Sequence, residues 1–339
     1  MQLAYAQDYY LIELKPKTNT TNYLTNPLQM LSERALNRRT INNISLDVTD
    51  VPINPNYIQI IKSLDLDYIG SSKWLNTIMV AIDNQTTIEQ LQNLNFVENV
   101  ESLVRNPSAK PNPEVNVKRF AALTTDFNYG NSSQLIDLIN LSPLHQAGFT
   151  GQNRLIGVID TGYPVVNINP QYESLRAENR IIDTYNFINN NSVYNMNSHG
   201  SMVLSTMAAK SNGDYIGTAP DASYALYVTE DISSETPKEL LYWIQAAERA
   251  DSVGVDIINT SLGYTTFDDP RYDYTYQDMN GFTTLISKGA AVAASKGIFL
   301  INAIGNDGNN TWQYLAAPAD VPTVFSVGAV SSILISANF

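Results

Sequence analysis

The chain of 339 residues contains no cysteine. That excludes a disulfide framework, a thiolate metal site and a cysteine nucleophile. Histidine occurs only twice, at His145 and His199, and no H-E-x-x-H is present, so a multi-histidine zinc site has almost nothing to be built from. Basic residues are few, 20 against 33 acidic, for a net charge of −13. Nucleic acids and anionic membrane surfaces need basic patches, so neither is expected as a partner. No apolar run approaches the ~18 residues of a membrane span, and neither G-x-G-x-x-G nor G-x-x-x-x-G-K-[ST] occurs to cradle a nucleotide. What is present is a 44% hydrophobic chain long enough for roughly two domains. Such a chain buries a core without metal or disulfide staples, and a soluble enzyme that requires no cofactor is expected.

Over the first hundred residues, strands and helices alternate in a compact α+β unit. Residues 9–14, 67–74, 77–82 and 96–104 read as strands, with a turn at Leu75-Asn76. Residues 27–39 read as a helix with Leu28, Leu31, Ala35 and Leu36 on one face and charge opposite. Residues 56–64 repeat that period, and 86–94 form a short helix capped by threonine. A segment with Pro107, Pro111 and Pro113 then reads as an extended linker. From about residue 126 the pattern changes to short apolar strands at 155–159, 222–228, 256–259, 298–303 and 324–327, alternating with helices at 238–252 and 282–296. That alternation predicts an α/β fold with a parallel sheet, whose sites lie beyond the carboxyl ends of its strands. Asparagine is dense over residues 186–197, which predicts a polar loop there.

Three polar groups fall where such sites are built. Asp160 ends the strand L-I-G-V-I before Thr161-Gly162, where it either caps a turn or receives an N–H from another side chain. His199 opens a helical run, H-G-S-M-V-L-S-T-M-A-A, where it is either an ordinary surface histidine or an imidazole oriented by a carboxylate. Asn306 lies in A-I-G-N-D-G, which is either a glycine-rich turn or the position of an amide that reaches a developing oxyanion. His145, in an amphipathic stretch before Gly148, reads as structural.

Taken together these segments resemble the subtilisin-like serine proteases, the subtilases. V-I-D-T-G (158–162) resembles the family's aspartate motif, and H-G-S-M-V (199–203) its histidine motif, with Ser201 and Met202 in place of the usual threonine and histidine. G-T-A-P-D-A (217–222), I-I-N-T-S-L-G (257–263), A-I-G-N (303–306) and P-A-D-V-P-T-V-F-S-V-G-A-V (318–330) follow in family order. The first hundred residues resemble the inhibitory propeptide of secreted subtilases of Bacteroidetes-type bacteria. The resemblance implies a parallel sheet flanked by helices, incomplete in this chain, preceded by a ferredoxin-like propeptide domain. It implies that Asp160 orients His199, that His199 is general base and then acid, and that Asn306 donates to the oxyanion. Ser261, Leu262 and Gly263 with Ala303, Ile304 and Gly305 would form the backbone walls of the substrate cleft.

The family's serine motif, G-T-S-x-A-x-P, occurs nowhere in the sequence. The chain is therefore expected to be the front of a longer enzyme, inactive alone, with the rest of the catalytic domain as a partner alongside polypeptide substrates and the inhibitory propeptide. The expected layout is a signal-peptide remnant at 1–7 (Ala4-Tyr5-Ala6 before Gln7 has the form of a cleavage site), a propeptide-like domain at 8–105, a linker with the maturation site at 106–127, and the catalytic part at 128–339. Maturation is expected between Arg105 and Asn128, and the protein is expected outside a bacterial cell. The acidic, aromatic segment 264–280 reads as a solvated surface loop, with a calcium site or a substrate pocket as alternatives. Two rival readings remain, a pseudoprotease that only binds peptides and an aspartic protease; the latter needs a second D-T-G or a dimer.

Overall fold

The computed structural model describes residues 7–105, 127–309 and 311–330. The signal-remnant motif and nearly all of the expected linker, with the maturation bond in it, lie outside the described residues.

Strands β1 (Asp8–Leu14), β2 (Asp67–Ser72), β3 (Thr77–Ile82) and β4 (Val97–Ser102) form an antiparallel sheet in the order β2-β3-β1-β4. Their side chains alternate between two covered faces. Ile12, Ile78 and Val80 pack with Ile61 and Leu91 of the helices Pro55–Lys62 and Gln85–Gln92. Leu11 and Met79 point the other way, into the core of the second unit. That is why every residue of β3 is buried, although an antiparallel sheet usually leaves one face wet.

Two helix assignments differ from the sequence reading. Residues 27–39 do not form one helix: Pro27–Gln29 is a single 3-10 turn, and the helix Glu33–Ile41 starts afresh at Ser32. The Ser32 hydroxyl accepts from Ala35 N at 3.1 Å and donates to Val253 O at 2.8 Å, so the cap is also a contact between the units. Leu28 is consequently exposed, and Arg38 and Arg39, expected on the wet face, are buried. The Gln85–Gln92 helix is capped not by threonine but by Asn84, whose side chain accepts from Thr87 N at 2.8 Å.

The second unit is a six-stranded parallel sheet ordered β12-β11-β10-β5-β9-β6. The strands are β5 (Leu155–Asp160), β6 (Ile181–Asn186), β9 (Ser223–Val228), β10 (Ile257–Thr260), β11 (Phe299–Ala303) and β12 (Phe325–Val327); β7 (Lys210–Ser211) and β8 (Tyr215–Ile216) make a small separate hairpin. Sequence reading missed β6. Its I-I-D-T-Y-N pairs only with β9 at the sheet edge, so it needs no continuous apolar run. The helix His199–Ala208 covers one face through Leu204 and Ala208. The helices Pro237–Val253 and Leu285–Ser295 cover the other. The 17-residue Pro237–Val253 helix has a capping box at Thr236/Glu239 and ends at Gly254 with φ +96°. A side chain at Gly254 would also collide with Ala35 N, so the helix stop doubles as a close approach between units.

Segment 264–280 is not a solvated loop. Tyr264, Phe267, Tyr272, Tyr274 and Met279 are buried in the main core, and the residues between them, mostly polar, reach water. His145 is structural, buried between the Tyr129 hydroxyl (2.9 Å from Nδ1) and the Thr218 carbonyl (3.0 Å from Nε2).

Candidate active site

β5 has β9 on one side and β10 on the other, although the chain visits β6 before β9. In α/β sheets a strand-order reversal of this kind is where sites form, beyond the carboxyl ends, and the nine candidate site residues lie at that end. Asp160 closes β5 and is fully buried. His199 is the first residue of its helix, and its Nδ1 lies 2.7 Å from Asp160 Oδ1. Thr161 donates to the same oxygen from its backbone N at 2.7 Å and from Oγ1 at 3.2 Å.

The glycines of the two motifs make that approach sterically feasible. A Cβ on Gly200 would lie 2.5 Å from Gly162 O and 3.0 Å from Asp160 Cβ, and one on Gly162 would lie 2.3 Å from Met196 Cβ. Gly162 also takes φ +148°, which side-chain-bearing residues avoid. Asn197, which sequence reading passed over, lies against both partners: its Oδ1 accepts from His199 N at 2.9 Å and lies 3.2 Å from Thr161 Oγ1, whose single proton serves either it or Asp160 Oδ1. Its only sequence signal is its place in the asparagine-rich stretch before H-G.

With Nδ1–H donated to the carboxylate, His199 holds Nε2 available on a side chain 44% exposed. The hydrogen bond to Asp160 raises the imidazole above its ordinary pKa, against burial, which lowers it. Asp160 Oδ2 is buried with no hydrogen-bond partner among the described residues. A carboxylate so poorly solvated gains most from a positive imidazolium beside it.

Two strands along from β5, Asn306 is exposed beyond the end of β11, after Gly305 turns the chain at φ +105°. No hydrogen bond joins Asn306 to the Asp160–His199 pair among the described residues. Between them, residues 261–263 follow β10. The two walls are not equivalent. Gly263 is exposed, and its backbone makes no backbone hydrogen bond among the described residues. Ile304 has both backbone groups occupied, by Val327 O and Ala316 N at 3.0 Å each. Leu262 O accepts from Asn302 Nδ2 at 2.9 Å. Gly263 therefore has backbone groups that an added strand can use, while Ile304 has none.

Behind the crevice, Glu230, Glu235 and Glu239 bring carboxylate oxygens within 4.8 Å of one another. Burial pushes Glu230 up to about 7, where hydrogen bonds from Tyr264 and Thr229 oppose it. Among the described residues this is the acidic group compact enough to ligate an ion, and it does not coincide with segment 264–280.

A buried aspartate hydrogen-bonded to a histidine at the open end of an α/β sheet is the geometry that a nucleophilic hydrolase requires of its base. Comparisons with known proteins agree with that class. Residues 9–118 match the S8 peptidase propeptide domain of Bacteroidota, and residues 151–336 match the subtilase family. The chain belongs to the subtilase family. It is 30% identical over 210 residues to subtilisin E of Bacillus subtilis (strain 168), covering 60% of this chain and 48% of that protein. The same identity and length hold for subtilisin of Bacillus pumilus, with 60% and 66% covered. The chain thus spans about half the length of curated relatives such as subtilisin E. Among solved structures, the epidermin leader peptide processing serine protease of Staphylococcus aureus shares the fold, with TM-score 0.58, 17% identity, and 98% of this chain and 72% of that one covered. No helix among the described residues is long and apolar enough to cross a membrane.

Proposed function

We propose that the full-length protein is a secreted bacterial serine endopeptidase made as a precursor, with a nucleophilic serine supplied from outside residues 1–339. The hydrogen bond from His199 to the buried Asp160 carries this reading, because it fixes the tautomer that leaves Nε2 as a base. The serine oxygen attacks the substrate carbonyl carbon as His199 Nε2 takes its proton. Asn306 donates to the oxyanion, and His199 returns the proton to the departing amine. Water then releases the acyl group by the same steps in reverse order. The pairing with His199 also speaks against an aspartic-protease role for Asp160, which would need a second carboxylate instead.

In this reading residues 8–105 are the propeptide, whose sheet packs on the Pro237–Val253 helix, and maturation cuts between Arg105 and Asn128. The test is the full-length gene product incubated with an unfolded protein substrate and a fluorophosphonate probe. Cleavage and serine labelling, both abolished by His199→Ala, are expected. An intact substrate and no labelling at any pH would overturn the proposal. N-terminal sequencing of protein from the culture medium tests secretion and the maturation bond together.

A further inference from the structure

The last residues of the N-terminal unit do not stay with their own sheet. Leu103 N makes a final ladder bond to Tyr9 O at 2.9 Å, and two residues on Arg105 N donates to Arg271 O at 2.6 Å. The Arg105 side chain then enters a cradle built by the second unit. Its Nη1 donates to Asp278 Oδ1 at 2.5 Å, and its guanidinium carbon lies 4.9 Å from the centre of the Tyr274 ring. A carboxylate beside an aromatic face is the arrangement that selects a guanidinium over other side chains.

The cradle does not depend on its occupant. Asp278 Oδ2 is held by Thr275 N and Oγ1, both at 2.8 Å, and buried Tyr274 meets Phe267 edge-on at 5.5 Å. These supports belong to segment 264–280, which runs directly on from Leu262 and Gly263 and is bridged to Ala317 at Tyr264. We propose that Asp278 and Tyr274 form a subsite for an arginine side chain of the substrate polypeptide, occupied by Arg105 while the N-terminal unit is in place. This rests on the endopeptidase reading above. Because the maturation bond lies beyond Arg105, the arginine is recognised on the amino side of the bond that is cut.

The test uses the matured full-length enzyme and a series of quenched peptides carrying Arg, Lys, Ala or Glu at successive positions on that side. One position is expected to favour Arg over Ala by about tenfold in kcat/KM, with Lys between them. Asp278→Asn is expected to bring the ratio close to unity, and Asp278→Glu to restore part of it. A general loss of folding would lower all peptides together and leave the ratio intact. An active enzyme with no arginine preference, or one that survives Asp278→Asn, overturns the proposal. If no peptide is cleaved the endopeptidase reading fails, and the cradle is then read by binding. In the intact Arg105→Ala chain, ethylguanidinium is expected to shift the Tyr274 ring signals, and in Arg105→Ala/Asp278→Asn it is not. No shift in the first, or equal shifts in both, overturns the subsite.

Discussion

Asp251, on the Pro237–Val253 helix, joins the two units by charge, and truncating it is the sharpest test of how they are held. Its carboxylate is fully buried; it accepts from Arg38 Nη2 and from Arg39 Nη2 at 3.0 and 2.8 Å. Arg39 reaches on to Asp50 at 3.0 Å, and Lys296 lies 3.2 Å from the same Asp50 oxygen. Asp251→Ala leaves the Arg38 guanidinium, 5% exposed, without a carboxylate and the Arg39 guanidinium, 1% exposed, with Asp50 alone. Breaking a buried pair this way costs about 3–5 kcal/mol. At roughly 2–4 °C per kcal/mol for a unit of this size, melting should fall by about 6–20 °C. Calorimetry on the intact chain reads this directly. The network is not fully satisfied: Arg38 Nε, Arg39 Nε and Arg39 Nη1 are buried without partners among the described residues. Its net contribution is therefore small even though breaking it is costly. Replacing all three members with apolar residues (Arg38→Met, Arg39→Met, Asp251→Leu) should recover most of the loss, since Asp50 keeps Lys296 and Asp47 N as partners. A loss below about 1 kcal/mol for Asp251→Ala, or a triple variant as unstable as the single, would refute the argument.

Further outcomes follow from the site and from the carboxylates beside it. His199 titrates above its ordinary 6.5, so the acid limb of kcat/KM should lie above that pH; Asp160→Asn should lower turnover by about 10⁴-fold. The stabilisation that Asp160 gives His199 is complete below pH 6.5 and lost as pH rises through the higher folded value, so denaturant melts should show this histidine-linked part of the Asp160→Asn defect at pH 5 more than at pH 9. Asn306→Ala should lower kcat by about 10²–10³-fold with KM little changed, because the amide acts on the oxyanion rather than on bound substrate. Glu230 titrates at about 7 against an ordinary 4.5, so its contribution to stability is greatest below pH 4.5 and falls by the order of 3 kcal/mol as pH rises past 7. Glu230→Gln keeps an acceptor for the Tyr264 hydroxyl and should be more stable than wild type at pH 8, with the gap closing near pH 4.5 in thermal melts.

The parts of the molecule legible in the sequence were those governed by local rules. β5 and β9 are apolar because both faces of the sheet are covered, and the D-T-G and H-G glycines mark a contact between backbones where no side chain fits. β6 was illegible because an edge strand with one partner carries no such run. The helix at Glu33–Ile41 misled for the opposite reason. Its arginines look solvated until Asp251, more than two hundred residues away, is seen to bury them. Segment 264–280 misled likewise, since aromatics spaced among aspartates read as a loop until the core they fill is assembled. Non-local partners carry the missing information, and periodicity cannot report them.

The same comparison separates a subsite from a latch at Arg105. The buried charges at Asp251 and the Ser32 cap hold the N-terminal unit at the far end of the Pro237–Val253 helix from the cradle, while Leu11 lines the same cavity as Arg105 and Tyr274 and packs there with the main core. The Arg105–Asp278 pair is 31% and 16% exposed, so it belongs with partly solvated pairs worth about 1 kcal/mol or less. Arg105→Ala in the intact chain should therefore shift melting by only a few degrees, against the much larger loss expected for Asp251→Ala. A cradle that contributes so little to holding the propeptide, yet keeps its own carboxylate and ring in place, is better suited to recognise a passing arginine than to retain a domain. Were Arg105→Ala to destabilise the chain as much as Asp251→Ala, the cradle would be a clasp for the propeptide, and an arginine preference in the mature enzyme would lose its structural basis.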